Sequence, residues 1–109
     1  VLQAIFEENM EDLFQSAEYK KCVFQCARRA ILENEYFLKD FLENYVQKNY
    51  SLEDLADFNI FLKDIYDSDL FDLIMGKKSA YDLKSQYSYR FLKDIENYAK
   101  NIIYKVKSK

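Results

Sequence analysis

Apolar residues return every three or four positions along nearly the whole chain, the period of helices with one buried face. From about Ala17 to Ile31 the stripe is Tyr19, Val23, Cys26, Ala27 and Ala30. Its small residues leave room for a neighbour to approach the backbone closely. From about Glu33 to Gln47, Phe37, Leu38, Phe41, Leu42, Tyr45 and Val46 repeat at the same spacing. Ser51 reads as an N-cap with Asp54 three residues on, a capping-box variant, and opens a third helix with the seam Leu52, Leu55, Phe58, Leu62 and Ile65. Asp67 or Ser68 is suited to cap a short fourth helix, Asp69 to Met75, whose aliphatic residues are nearly continuous. Gly76 follows as a left-handed stop. A last helix, about Ser79 to Tyr104, carries Leu83, Tyr87, Phe91, Ile95, Tyr98, Ile102 and then Val106 on one side. Ahead of all this, Ile5, Phe6, Met10, Leu13 and Phe14 make residues 3–14 a short amphipathic piece with an acidic opposite face. The pattern predicts an all-α fold, a compact five-helix bundle with an extra N-terminal helical segment. Residues 1–15 read as an N-terminal amphipathic extension and 16–109 as a single helical domain, with breaks near residues 32, 50, 66 and 77.

Composition supports helices and excludes much chemistry. One Gly and no Pro in 109 residues are too few for a turn-rich sheet protein. The absence of His excludes Ser-His-Asp and Cys-His catalysis and His-ligated metals. A single Gly excludes a P-loop or dinucleotide fingerprint. With no convergent catalytic set, the chain is not expected to be an enzyme. A net charge of −3 makes it a poor nucleic-acid binder. No apolar run is long enough for membrane insertion. The start of the chain, with Glu7, Glu8, Glu11 and Asp12 and no Lys or Arg before Lys20, is the opposite of a signal or transit peptide. Val1 in place of Met reads as a trimmed or engineered start.

Cys22 and Cys26 share a helix face and lack further Cys or His to complete a zinc site, so two reduced, core-facing thiols are expected. Asp67-Ser68-Asp69 opens like a calcium loop, but Asp72 stands where that loop needs Gly and Lys78 where it needs Glu. Helix capping is the better reading. The ten Tyr serve either as amphipathic packing with surface hydroxyls or as a protein-binding surface. Arg29 and Glu33 are four apart. On one helix they would be an ordinary solvated pair; at a helix–helix corner, Glu33 would sit at the start of the next helix, where its charge is favoured.

The run Cys26-Ala27-Arg28-Arg29-Ala30-Ile31-Leu32-Glu33, followed by an amphipathic helix and then Asp67-Ser68-Asp69-Leu70-Phe71-Asp72-Leu73-Ile74-Met75-Gly76, resembles the SdhE family. These are small five-helix assembly factors of succinate dehydrogenase, also described as flavinylation factors. Arg29, Ala30 and Glu33 occupy the family's Arg-Gly-x-x-Glu motif, with Ala30 in the Gly position. Asp67, Asp69, Leu70 and Phe71 match its Asp-Pro-Asp-Leu-Phe-x-Trp-Leu-like run, with Ser68 for Pro and Leu73 for Trp.

The resemblance implies an assembly factor, or chaperone, that binds the flavoprotein subunit of succinate dehydrogenase or fumarate reductase and promotes covalent attachment of FAD. It implies partner-binding residues Arg28, Arg29, Ala30, Glu33, Asp67 and Asp69. The cofactor, FAD, is then carried by the partner and not by this chain, which is expected to be a monomer when alone. The bacterial cytoplasm fits best, and the mitochondrial matrix fits a chain trimmed from a longer one. The alternative is a helical protein–protein interaction module or antitoxin-like regulator with no flavoprotein link, in which Arg29 and Glu33 would be an exposed and dispensable pair.

Overall fold

A computed structural model describes residues 16–107, and their side chains as far as Ile102. Helix α1 (Ala17–Ala27) starts at Ser16, whose hydroxyl accepts from the Tyr19 amide. It ends four residues before the expected Ile31, because Arg28 leaves helical geometry and Ile31 is extended. Helix α2 (Leu32–Phe41) continues through a π-helical turn, Leu42–Val46, and a final turn, Gln47–Asn49. Helix α3 (Leu52–Asp64) opens with the expected capping box between Ser51 and Asp54. Helix α4 (Asp67–Ile74) stops at Gly76, the one described residue with positive φ, at 77°.

The last expected helix is divided. A short α5 (Ala80–Leu83) begins at a second capping box, Ser79 with Asp82. The Leu83 carbonyl accepts from the amides of both Gln86 and Tyr87, which closes the helix in a turn. A new helix, α6 (Tyr89–Lys107), then starts with the Leu92 amide on the Ser88 carbonyl. The local signal for this break is the pair Ser85 and Ser88, since Ser competes with the helix ladder for backbone groups. The turn carries Tyr87 towards α4, where its hydroxyl donates to Asp69 Oδ2 at 2.7 Å and accepts from the Tyr66 amide at 3.3 Å.

Helix α1 packs along α3 and beside α2; α4 packs against α2 and α6, and α5 against α6. Between them lies one core of mostly aromatic and aliphatic side chains. Phe41 stands at its centre, with Tyr45 at 5.0 Å, Tyr98 at 5.3 Å and Phe58 at 5.8 Å between ring centroids. Phe58 in turn meets Phe91 at 5.2 Å. Such pairs add about 0.5–1.5 kcal/mol each beyond simple burial. The fold is thus the expected all-α bundle.

The tyrosines divide between core packing and exposure. Tyr50 is buried and Tyr19, Tyr45, Tyr87 and Tyr98 are half-buried, whereas Tyr36, Tyr66, Tyr81 and Tyr89 are exposed. Cys22 and Cys26 are free and buried. A thiol hydrogen bond with Cys26, together with burial, pushes the Cys22 thiol far above its ordinary range. One expectation for α1 is corrected: its buried side is Cys22 and Cys26, while Val23 is 42% exposed and Ala27 is exposed. The small thiols suit the close packing of α1 on α3, and Val23 and Ala27 of the expected stripe face outward. The amphipathic extension, residues 1–15, and the Val106 side chain lie outside the described residues.

Candidate functional site

The link Arg28–Ile31 joins α1 to α2 at a corner above the end of α3 and the start of α4. Helix α3 ends with unpaired carbonyls, as any helix does. Two of them, Leu62 and Ile65, accept from the Arg29 guanidinium at 2.8 and 3.1 Å. A cation at a helix C-terminus is also favoured by the aligned peptide dipoles. The remaining face of the guanidinium, Nε, donates to Asp67 Oδ1 at 2.7 Å. Asp67 is the first residue of α4, where a negative charge is favoured for the mirror-image reason.

Asp67 is occupied on both oxygens. Oδ2 accepts from the Ala30 amide at 2.8 Å, and Oδ1 also accepts from Asn34 Nδ2 at 3.1 Å. Asn34 is buried and donates as well to the Asp67 carbonyl. The Arg29 amide donates to Glu35 Oε1 at 3.1 Å, closing the loop from the other side. Burial pushes the Asp67 carboxyl upward, but the Ala30 amide, Arg29 and Asn34 outweigh it and hold the group below the ordinary carboxylate range. The expectation that Asp67 or Ser68 caps α4 is therefore corrected. Tyr66 stands at the cap position without a side-chain bond, and the Asp67 carboxylate reaches back to the α1–α2 corner instead.

Of the two readings of Arg29 and Glu33, the structure shows the helix–helix corner, with Glu33 at the start of α2, and not a solvated pair on one helix. The Arg29 side chain is only 6% exposed, and its charge is satisfied by Asp67 and the end of α3. Glu33 lies in the first turn of α2, exposed and without a partner among the described residues. The six sequence-predicted positions thus separate into layers. Arg28, Ala30 and Glu33 are exposed at the corner. Arg29 and Asp67 lie beneath them and fix the backbone that presents them. Asp69 sits further along α4, tied to Tyr87 and, at 3.1 Å, to Lys78. The Tyr87 hydrogen bond, more than Lys78, holds the Asp69 carboxyl below its ordinary range.

Apolar side chains border the corner. Phe24 and Leu32 are about half exposed and Tyr36 more so, and the Arg28 guanidinium lies over the Phe24 ring at 4.7 Å from its centroid. The surface therefore offers one cation, one anion, a small exposed residue, and rings. These are groups for recognition. Asn34 and Glu35 were missed in the sequence. Asn34 carried a usable signal, since it falls on the buried stripe with Leu38 and Phe41, where an isolated polar residue needs a partner. Glu35 carried none.

Among the described residues no three acidic or sulfur side chains converge as metal ligands, and no helix is long and apolar enough to cross a membrane. Comparison with curated proteins and with solved structures gave no match. Residues 20–98 match the Sdh5 family, described as flavinator of succinate dehydrogenase, and that stretch spans α1 to most of α6 and contains both motifs. The chain belongs to this family of succinate dehydrogenase flavinators.

Proposed function

We propose that this protein binds the flavoprotein subunit of succinate dehydrogenase, or of fumarate reductase, and promotes covalent attachment of FAD to it. The observation that carries the reading is the exposed corner of Arg28, Ala30 and Glu33, pinned from below by Arg29 and Asp67 in a chain of the flavinator family. The chemistry belongs to the partner, because this chain has no His to accept a flavin and no Gly-rich phosphate loop. It binds no FAD itself. A helper of this kind works by binding the attachment-competent conformation of its partner more tightly than others, which raises that conformation's population.

A rigid corner suits the task. Ordering a loop on binding would subtract from the affinity, whereas this corner is already fixed by hydrogen bonds to both Asp67 oxygens. Arg28 offers a carboxylate or carbonyl partner a guanidinium, and Glu33 accepts from an Arg or an amide. The test is co-expression with the flavoprotein subunit, followed by in-gel fluorescence of covalently bound flavin. The expected result is a rise in covalent flavin and co-purification of the two chains. Covalent flavin that stays the same with and without this chain would overturn the reading.

A further inference from the structure

Helix α3 keeps one stripe out of the bundle. Asp57, Ile60 and Asp64 are exposed along it, three and four residues apart, and Ile60 is 60% exposed. The stripe forms one wall of an open groove of about 470 Å³. The other wall is the turn at 84–88 and the start of α6, and the buried rings of Phe61 and Phe91 also line the groove. We propose that this groove docks a basic segment of the flavoprotein subunit, with Lys or Arg side chains on Asp57 and Asp64 and an apolar side chain on Ile60 between them. This second contact, added to the corner, rests on the function proposed above.

Charge selects this occupant. Two cations border the groove, and both are engaged within the chain. Arg90 pairs with Asp54 at 2.9 Å and lies over the Phe91 ring, 5.0 Å from its centroid. The Lys84 ammonium lies over the Tyr81 ring at 3.7 Å. Asp57 and Asp64 have no hydrogen bond or ion pair among the described residues. With Arg90 balanced by Asp54, the groove holds these two acids against Lys84 alone. An acidic segment would meet uncompensated carboxylates there. A basic one offsets them, and an apolar side chain between its charges removes Ile60 from water.

Spacing narrows the occupant further. Asp57 and Asp64 are about 10.5 Å apart along α3, close to two helical turns. A partner helix with basic residues seven apart and an apolar residue three or four after the first repeats the α3 stripe. The groove also adjoins the α1–α2 corner. Asp64 ends α3 beside Ile65, whose carbonyl accepts from Arg29. Tyr87 of the groove accepts from the amide of Tyr66, next to Asp67. A single partner surface is able to reach both, and opposite charge beside the corner speeds the encounter more than it tightens the complex.

Titration calorimetry of the full chain with the purified flavoprotein subunit of succinate dehydrogenase tests this, at low salt and at about 0.5 M salt. Asp57→Lys with Asp64→Lys should weaken binding about tenfold or more at low salt and flatten its salt dependence, with the urea midpoint of the isolated protein unchanged. Asp57→Asn with Asp64→Asn, which keeps side-chain size, should do the same to a smaller degree, and serves if the Lys variant fails to fold. Ile60→Asp should weaken binding at both salt concentrations. Parent-level affinity in the Lys and Asn variants, beside a loss with Glu33→Lys, would overturn the groove and leave the corner standing. Absence of binding by the parent chain would overturn the proposed function and the groove together. Sedimentation of the isolated chain supplies the remaining outcome. A dimer that the Lys variant dissolves would assign the groove to a second copy and overturn the proposal.

Discussion

Arg29 and Asp67 lie 38 positions apart and meet at 2.7 Å, the guanidinium capping the end of α3 and the carboxylate opening α4. The pair holds three helix ends and the α1–α2 link in one arrangement. The bonds run through backbone groups as much as side chains: two carbonyls of the α3 end and the Ala30 amide are all satisfied here.

Arg29→Ala should therefore destabilise the fold strongly. Removing the guanidinium takes a donor from the Leu62 and Ile65 carbonyls and from Asp67 Oδ1, at a cost of about 1–3 kcal/mol. An exposed pair would cost about 0–1 kcal/mol. Arg29→Lys should recover only part of the loss, because one ammonium cannot reproduce the planar fork that meets Asp67, Leu62 and Ile65 together. Urea unfolding of the three proteins measures this. A loss for Arg29→Ala below about 1 kcal/mol would mean that the corner is not held by this residue.

Acid should weaken the same joint. The folded-state carboxyl of Asp67 titrates below its ordinary value of 3.8, so the stability it contributes is present above that value and is lost as pH falls through the lower, folded one. Asp54, Asp69, Asp82 and Glu96 are lowered as well and add to the same acid limb. Asp67→Asn should reduce stability near neutral pH and flatten the dependence below about pH 4. Unfolding free energies from pH 6 down to pH 2.5 would show it, and an acid slope identical to the parent's would contradict it.

The sequence was legible wherever a single helix decided the outcome. The capping box at Ser51, the stop at Gly76 and the buried run Leu38, Phe41, Leu42 and Val46 all follow from local pattern and recur in the fold. It was not legible where distant segments compete for one side chain. Asp67 has the chemistry of a cap, and only the arrival of Arg29 and the Ala30 amide draws it elsewhere. The turn at Ser85–Ser88 breaks a continuous apolar period and brings the Tyr87 hydroxyl to Asp69 and the Tyr66 amide, distant partners that local pattern does not announce. The family motifs converge on one corner of the fold, but spacing alone could not separate the exposed residues there from the buried ones.

Tyr87→Phe should loosen that turn from α4. The hydroxyl bonds an ionised carboxylate, a class of bond contributing about 1.5–3 kcal/mol, and also satisfies the Tyr66 amide. The substitution removes the largest influence lowering the Asp69 carboxyl, so the Asp69 pKa should rise. A carboxyl titration followed by NMR, with a urea midpoint, reads both effects. An unmoved Asp69 would show that Lys78 alone sets its ionisation.

Ala30 should decide how closely a partner approaches the corner. It stands where the family motif has Gly, and no described residue other than Gly76 has positive φ, so the backbone here does not require Gly. What a Gly would change is one exposed methyl. Ala30→Gly should be neutral or slightly destabilising, by less than the roughly 0.5–1 kcal/mol of a helix interior. It should preserve or raise covalent flavin on a co-expressed flavoprotein subunit. Ala30→Phe keeps the amide that donates to Asp67 and projects its ring into solvent, so stability should stay within about 0.5 kcal/mol of the parent. On the proposed reading that ring would lie in the contact surface with Arg28 and Glu33. Flavinylation should therefore fall sharply while the isolated protein remains folded. Parent-level covalent flavin with Ala30→Phe would move the contact surface away from this corner, and unfolding would show that the space above Ala30 is already filled.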